Sequence, residues 1–244
     1  MKYIDKQIKN EPQALRNFRN NTPNANYKGY TDKDIETSET HPLKNALLKE
    51  QGYLCAYCMG KISLTLNENN KPKIEVEHFK PQETHSKLDL SYMNMLGVCN
   101  GLSITHPEKE EMHHCDKTKG EYGKMNGKVE LKKLNPCDKT CETLITYKAD
   151  GEILAVNEDI DVKYDLENVL NLNNQALKDA RKAIVDNARK NLMKEKPTQQ
   201  WNKVFLQKHL DFWLSINERG EYKSYCMIAV WFIKTLLSKS QYNR

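Results

Sequence analysis

Between positions 55 and 116 this 244-residue chain carries four cysteines, a Glu-His pair, an asparagine and an aspartate whose spacing could do chemistry. Cys55 and Cys58 form a Cys-Ala-Tyr-Cys knuckle, flanked by Tyr53 and followed by Met59-Gly60. In such a knuckle two thiolates converge on one tetrahedral ion while the backbone turns around it. A single CxxC pair is also the mark of a redox motif, but no βαβ pattern surrounds this one. The other two ligands are expected from Cys99, in LGVCNG, and Cys115, in HHCDKTKGE, which are separated by an insertion rather than by two residues. His114 could replace Cys115. We favour the cysteine, because a four-cysteine zinc site is closed and structural and leaves His114 to pack or to meet solvent. Cys137 and Cys141, spaced CxxxC, could form half of another metal site, but no second half is visible and two reduced thiols are expected. Cys226 lies in the apolar run YCMIAVWFI and is expected in the core.

The elements that must position these residues follow from periodicity. Lys73 to Phe79 alternates as a strand, with Ile74, Val76 and His78 on one face, and Lys61 to Leu66 is strand-like across an Asn/Glu/Asn/Asn turn. A hairpin is predicted. It sets Glu77 and His78 side by side on opposite faces of a strand end. Asn94 follows in SYMNMLGVC, and Asp116 comes directly after Cys115. A lone Glu-His pair reads most simply as a satisfied structural histidine. Glu-His, then Asn, then Cys-Asp-x-x-Lys-Gly inside a cysteine frame is much more specific. Around this centre a short helix is predicted over Pro42–Gln51, with Leu43, Leu47 and Leu48 on one side and Gly52 as its stop. Leu144–Tyr147 and Glu152–Val156 flank Lys-Ala-Asp-Gly, a hairpin signal. A helix runs from Asn174 to about Met193 with Leu177, Ala180, Ile184 and Ala188 at helical spacing. Two more follow, over about 201–216 and 225–237, whose aromatic residues (Trp201, Phe205, Phe212, Trp213, Trp231, Phe232) are expected in the core.

Charge and hydropathy narrow the class of protein. With 38 basic and 33 acidic residues the net charge is +5, which is compatible with a polyanionic partner without demanding one. From Lys117 to Lys133 the basic residues are Lys117, Lys119, Lys124, Lys128, Lys132 and Lys133, against only Glu121 and Glu130. No run reaches the roughly 18 apolar residues of a membrane span, and the first residues lack an apolar signal core. A cytoplasmic protein with reduced thiols is expected. No GxxxxGK[ST] loop is present, so no ATPase of its own is expected.

CAYC, VEHFKPQ, YMNMLGVC and HHCDKTKGE together resemble the HNH endonuclease pattern with structural zinc, and more closely the PtuB-type nucleases of Septu antiphage systems, also found with retrons. The layout is similar along most of the chain, although the diagnostic motifs lie between Cys55 and Gly120. The resemblance implies His78 as general base, Asn94 as the middle residue of the motif and Asp116 as the third. Asp116 stands where many such enzymes have His or Asn, a departure that still suits a hard cation. Phosphodiester hydrolysis needs an activated water and an electrophile, so Glu77 and Asp116 are the expected oxygen ligands of one Mg2+ or Mn2+. Asn94 is expected to fix the loop and orient His78, and Lys117 and Lys119 to meet phosphate at a helix start. The implied partners are nucleic acid, a separate PtuA-type ATPase docking on the C-terminal helices and, from the retron side, a reverse transcriptase and its RNA.

The expected architecture is α+β, a zinc-stapled ββα-metal (HNH) core embedded in a largely helical scaffold. Its expected parts are an N-terminal segment and helix (1–51), the core with its four-cysteine site (52–135), and a hairpin with a helical C-terminal region (136–244). The rival readings are a zinc-ribbon nucleic-acid-binding module and a regulatory subunit, both without catalysis. The first explains the cysteines and lysines but gives no reason for Glu77, His78, Asn94 and Asp116.

Overall fold

Leu43, Leu47 and Leu48 recur at helical spacing behind a proline, and in the computed structural model they form the buried face of a helix (Pro42–Glu50). The structure describes residues 1–32, 41–66, 72–102, 109–126, 129–197 and 201–239. The turn at 67–70 and Lys128 lie outside them. Along the described chain come α1 (Gln13–Asn21), α2 (Tyr27–Asp32), α3 (Pro42–Glu50), β1 (Ser63–Leu66), β2 (Pro72–Lys73), β3 (Glu75–His78), β4 (Met95–Val98) and α4 (Asp116–Asn126). Then follow β5 (Ile145–Tyr147), β6 (Ile153–Ala155), α5 (Ile160–Tyr164), α6 (Gln175–Glu195), α7 (Lys203–Leu214) and α8 (Cys226–Leu237). The class is α+β, with helices and, among the described residues, three two-stranded antiparallel sheets.

The predicted hairpin is split between two partners. β1 pairs only with β2, in an irregular register, and after the buried Ile74 the chain turns to a new neighbour. β3 pairs with β4, Glu75 opposite Val98 and His78 opposite Met95. β4 is not predicted from the sequence: all four of its residues are buried, so the run Met-Leu-Gly-Val shows no alternation. Gln51 lies against it: its side-chain amide donates to the Gly97 carbonyl (2.7 Å) and accepts from the Gly97 N–H (2.7 Å). A β-carbon at Gly97 would fall 3.0 Å from the Ile74 Cδ1 and 3.2 Å from the Ile62 Cδ1, so the packing here is tight.

The N-terminal segment is tied down by charge. Glu50, at the end of α3, receives Lys6, the Gln7 backbone N–H, Asn10 and the Tyr92 hydroxyl at 2.8–3.0 Å. Gly52 ends α3 at φ +57, and a β-carbon there would fall 2.3 Å from the Tyr222 ring. Gly52→Ala therefore combines overpacking with left-handed strain. We expect a loss of about 1–3 kcal/mol, read as a lower urea midpoint; an unchanged midpoint would show that Tyr222 moves aside freely.

The hairpin β5–β6 forms as predicted, Ile145 opposite Ala155. α6 begins at Asn174, whose side chain accepts from the Leu177 N–H. Its buried face is Leu177, Arg181, Val185, Ala188 and Leu192, turned from the predicted stripe through Ala180 and Ile184. Arg181 stays inside by donating to the carbonyls of Gly151 (2.5 Å) and Leu172 (2.6 Å). α8 is buried nearly all round and packs on α6 and α7, so it is core rather than docking surface. Trp201, Phe205, Trp213 and Phe232 are buried as expected; Phe212 is half exposed beneath the Lys223 ammonium. No described helix is long and apolar enough to cross a membrane.

Candidate metal centre and active site

The knuckle is closed by a bridge between Leu54 and Lys61, by the Cys55 N–H on the Gly60 carbonyl (2.8 Å), and by Met59 in the left-handed region. The Gly60 N–H donates to the Cys58 sulfur (3.3 Å). Cys99 follows β4. Cys115 precedes α4, its backbone N–H bonded to the Leu170 carbonyl. Folding thus gathers Cys55, Cys58, Cys99 and Cys115, with their sulfurs all within 4.8 Å of one another. The Cys55–Cys115 and Cys58–Cys99 separations are 3.9 and 3.8 Å. A zinc–sulfur distance of about 2.3 Å implies tetrahedral edges of roughly 3.8 Å, so these sulfurs fit a single zinc ion. Burial opposes ionisation, yet donation from Cys115, Cys58 and Cys99 holds Cys55 well below the usual thiol range. Burial and that neighbouring charge push Cys115 well above it. Four converging, buried thiols are a donor set that a soft dication would complete.

His114 is buried rather than solvated, its Nδ1 3.2 Å from the Cys115 sulfur and 3.7 Å from that of Cys99. It borders the cluster that the four cysteines make. Cys137 and Cys141 join no metal-binding group among the described residues, and burial pushes both thiols up to about 11. Cys226 is fully buried.

One layer away lie the oxygen donors. Glu77, on β3, is 6 % exposed, and its Oε1 accepts from the Tyr57 hydroxyl (3.0 Å) and from the Lys119 ammonium. Lys119 also reaches the carbonyls of His78 (3.3 Å) and Phe79 (3.4 Å). Asp116, the first residue of α4, is hydrogen-bonded to Glu77. Burial and the Glu77 carboxylate push it up to about 8. The two carboxylates are therefore a donor pair short of positive charge, which suits a hard divalent cation.

His78 faces a different set of groups. Its Nε2 lies 2.8 Å from the Asp89 carbonyl, and its ring stands edge-on to Tyr27 at 4.7 Å. A carbonyl only accepts, so Nε2 carries the proton and Nδ1 is the basic nitrogen. Burial lowers the pKa of the ring, which keeps it neutral. Asn94 staples the segment between β3 and β4. Its Oδ1 accepts from the Lys80 N–H (2.8 Å), its Nδ2 donates to the Lys80 carbonyl (3.0 Å), and its own carbonyl accepts from the Phe79 N–H (2.9 Å). Loop fixing by Asn94 is as expected, whereas the ring of His78 is oriented by Asp89.

Tyr57, Asp89 and the inward role of Lys119 escaped the sequence reading. Spacing alone sets Lys119 toward phosphate, but it is buried against Glu77. The available signal was its position three residues after Asp116, on the same helix face. Lys117 pairs with Glu121 (3.2 Å), Lys132 with Asp161 (3.6 Å) and Lys133 with Asp159. Each of these exposed lysines thus has an acidic neighbour within the chain.

The chain is similar in sequence to two known proteins. The chain is similar to an Escherichia coli protein named "Retron Ec83 putative HNH endonuclease", 29% identical over 217 residues that cover 76% of this chain and 79% of the relative. It is also similar to the Septu protein PtuB of Bacillus thuringiensis, 38% identical over 72 residues, 28% of this chain and 26% of that protein. No family model matches the chain.

Proposed function

We propose that the chain is a metal-dependent HNH endonuclease, the nuclease subunit of an antiphage system of retron or Septu type. β3, β4 and α4 form its ββα-metal core, and the four thiolates hold a structural zinc. The observation that carries this reading is the buried Glu77–Asp116 carboxylate pair, with the next residue of β3, His78, held neutral and its basic nitrogen at Nδ1.

On this reading Glu77 and Asp116 hold one Mg2+ or Mn2+, which when bound offsets charge on the phosphate and the leaving oxygen. His78 accepts a proton at Nδ1 from the attacking water, as a neutral imidazole can near pH 7. The Asp89 carbonyl keeps the ring in that tautomer as the proton arrives. Asn94 keeps the strand connection in register, so that His78 and Glu77 hold their places. Lys119 neutralises Glu77 and keeps its ammonium at the same wall of the site. Substrate recognition is by backbone phosphate, which carries no sequence information.

The ATPase function resides in a separate PtuA-type chain, and a retron reverse transcriptase with its RNA completes the assembly where one is encoded. Because α8 is core, docking falls to exposed apolar side chains of the C-terminal region, Val204 and Phe212 on α7 and the following Ile216. Removing the chain beyond Lys196 would unfold the core rather than test this surface.

The direct test is cleavage of labelled duplex DNA, single-stranded DNA and tRNA with Mg2+ or Mn2+, by the chain alone and co-purified with the ATPase. We expect cleavage that EDTA stops and that Asp116→Asn lowers by at least about 100-fold. Nucleic-acid binding without cleavage in either preparation would favour the zinc-ribbon reading.

A further inference from the structure

We propose that Tyr57 is a positioning residue that ties the thiolate cluster to the carboxylate pair, an inference that rests on the nuclease reading above. Tyr57 is fully buried between the two knuckle cysteines, and its loop is pinned to β4 by the Ala56 N–H on the Gly97 carbonyl (3.1 Å). From there its hydroxyl crosses to β3 and donates to Glu77 Oε1. Lys119 donates to the same oxygen. A carboxylate oxygen offers two lone pairs, so two donors commit Oε1 fully and leave Oε2 as the oxygen for a cation. Glu77 is thereby held for one-oxygen ligation.

The second carboxylate hangs from the same cluster by a different link. Asp116 is joined by a peptide bond to Cys115, one of the four thiol donors. The two carboxylates thus meet because each is anchored to the thiolate cluster, one through a phenol and the other through the main chain. A phenol suits the task because its ring is rigid and fills a slot with no solvent access, so its hydroxyl cannot wander. The phenol link can be cut without touching a thiol. Loss of the hydroxyl should loosen the divalent site while leaving the thiolate cluster whole.

The experiment compares Mn2+ uptake, followed by the loss of the free-ion EPR signal, in the purified full chain and in its Tyr57→Phe, Glu77→Gln and doubly substituted forms. Zinc content, and the charge-transfer bands after Co2+ exchange into the thiolate cluster, are read on the same samples. We expect Tyr57→Phe to keep its zinc and its Co2+ bands while binding Mn2+ about 10–100-fold more weakly, as loss of an outer-shell partner does. Added to Glu77→Gln, the same change should cost nothing further. Mn2+ binding by Tyr57→Phe equal to wild type would overturn the inference and leave the nuclease reading standing. Loss of zinc in that variant would also overturn it, by making Tyr57 a packing residue of the knuckle. Mn2+ uptake by wild type that Glu77→Gln leaves unchanged would remove the nuclease reading's metal site, and this inference with it.

Discussion

His78→Ala is expected to lower cleavage by about 10²–10⁴-fold, the range for a positioned general base, while the chain stays folded and keeps its zinc. The reasoning is local. The ring contributes a neutral imidazole whose Nε2–H is bound to the Asp89 carbonyl, and its removal takes away the basic nitrogen without exposing a charge. The neighbouring carboxylates do not depend on it, because Glu77 is held by Tyr57 and Lys119. Mn2+ binding should therefore survive in the variant. Single-turnover cleavage with excess protein separates this loss of chemistry from any loss of substrate binding. A variant that cuts at the wild-type rate with the same metal dependence would show that another group takes the proton.

The largest stability effect is expected from Cys115→Ser. Structural zinc contributes an apparent free energy of roughly 10–16 kcal/mol in small zinc domains, so one ligand in four accounts for about 3 kcal/mol. At roughly 2–4 °C per kcal/mol for a chain of this size, the melting temperature should fall by about 6–12 °C. Cys115 also starts α4 from a left-handed backbone position, and its N–H is bonded to Leu170, so its release disturbs both the carboxylate at Asp116 and the segment after α5. The matched control is Cys137→Ser, a half-buried thiol outside the cluster, which should keep full zinc stoichiometry in a chromogenic chelator assay. Wild-type zinc content and melting temperature in Cys115→Ser would argue against a ligand role.

Residue type and spacing made much of this centre legible before any coordinates. The four cysteines named from knuckle logic are the four that converge, because a CxxC turn and two well-placed partners leave few other geometries. Helix α3, hairpin β5–β6 and helices α6 to α8 came from periodicity and capping, for which local sequence suffices. What stayed hidden depends on long-range contacts. β4 is buried on every side and gave no alternation, so its pairing with β3 was invisible. Tyr57 looked like filler between two cysteines, and its function appears only once the knuckle is folded against β3. Lys119 read as one more surface lysine, although its ammonium is buried against Glu77, 42 residues earlier in the chain. Arg181 stayed hidden for the same reason: a guanidinium finds a buried place only where distant carbonyls happen to receive it.

The pairing of Gln51 with Gly97 has a consequence for how this protein meets other chains. A strand with an open flank offers a ladder that a stray extended segment can continue, the first step toward edge-to-edge aggregation. Along β4 that flank is filled at Gly97 by a carboxamide, which presents one donor and one acceptor in the manner of a backbone unit. The Ala56 N–H occupies the same carbonyl from the knuckle. The plug belongs to the protein's own fold, so it needs no partner and cannot be propagated by a second copy. At this point of the centre, recruitment of another chain by strand addition is closed off.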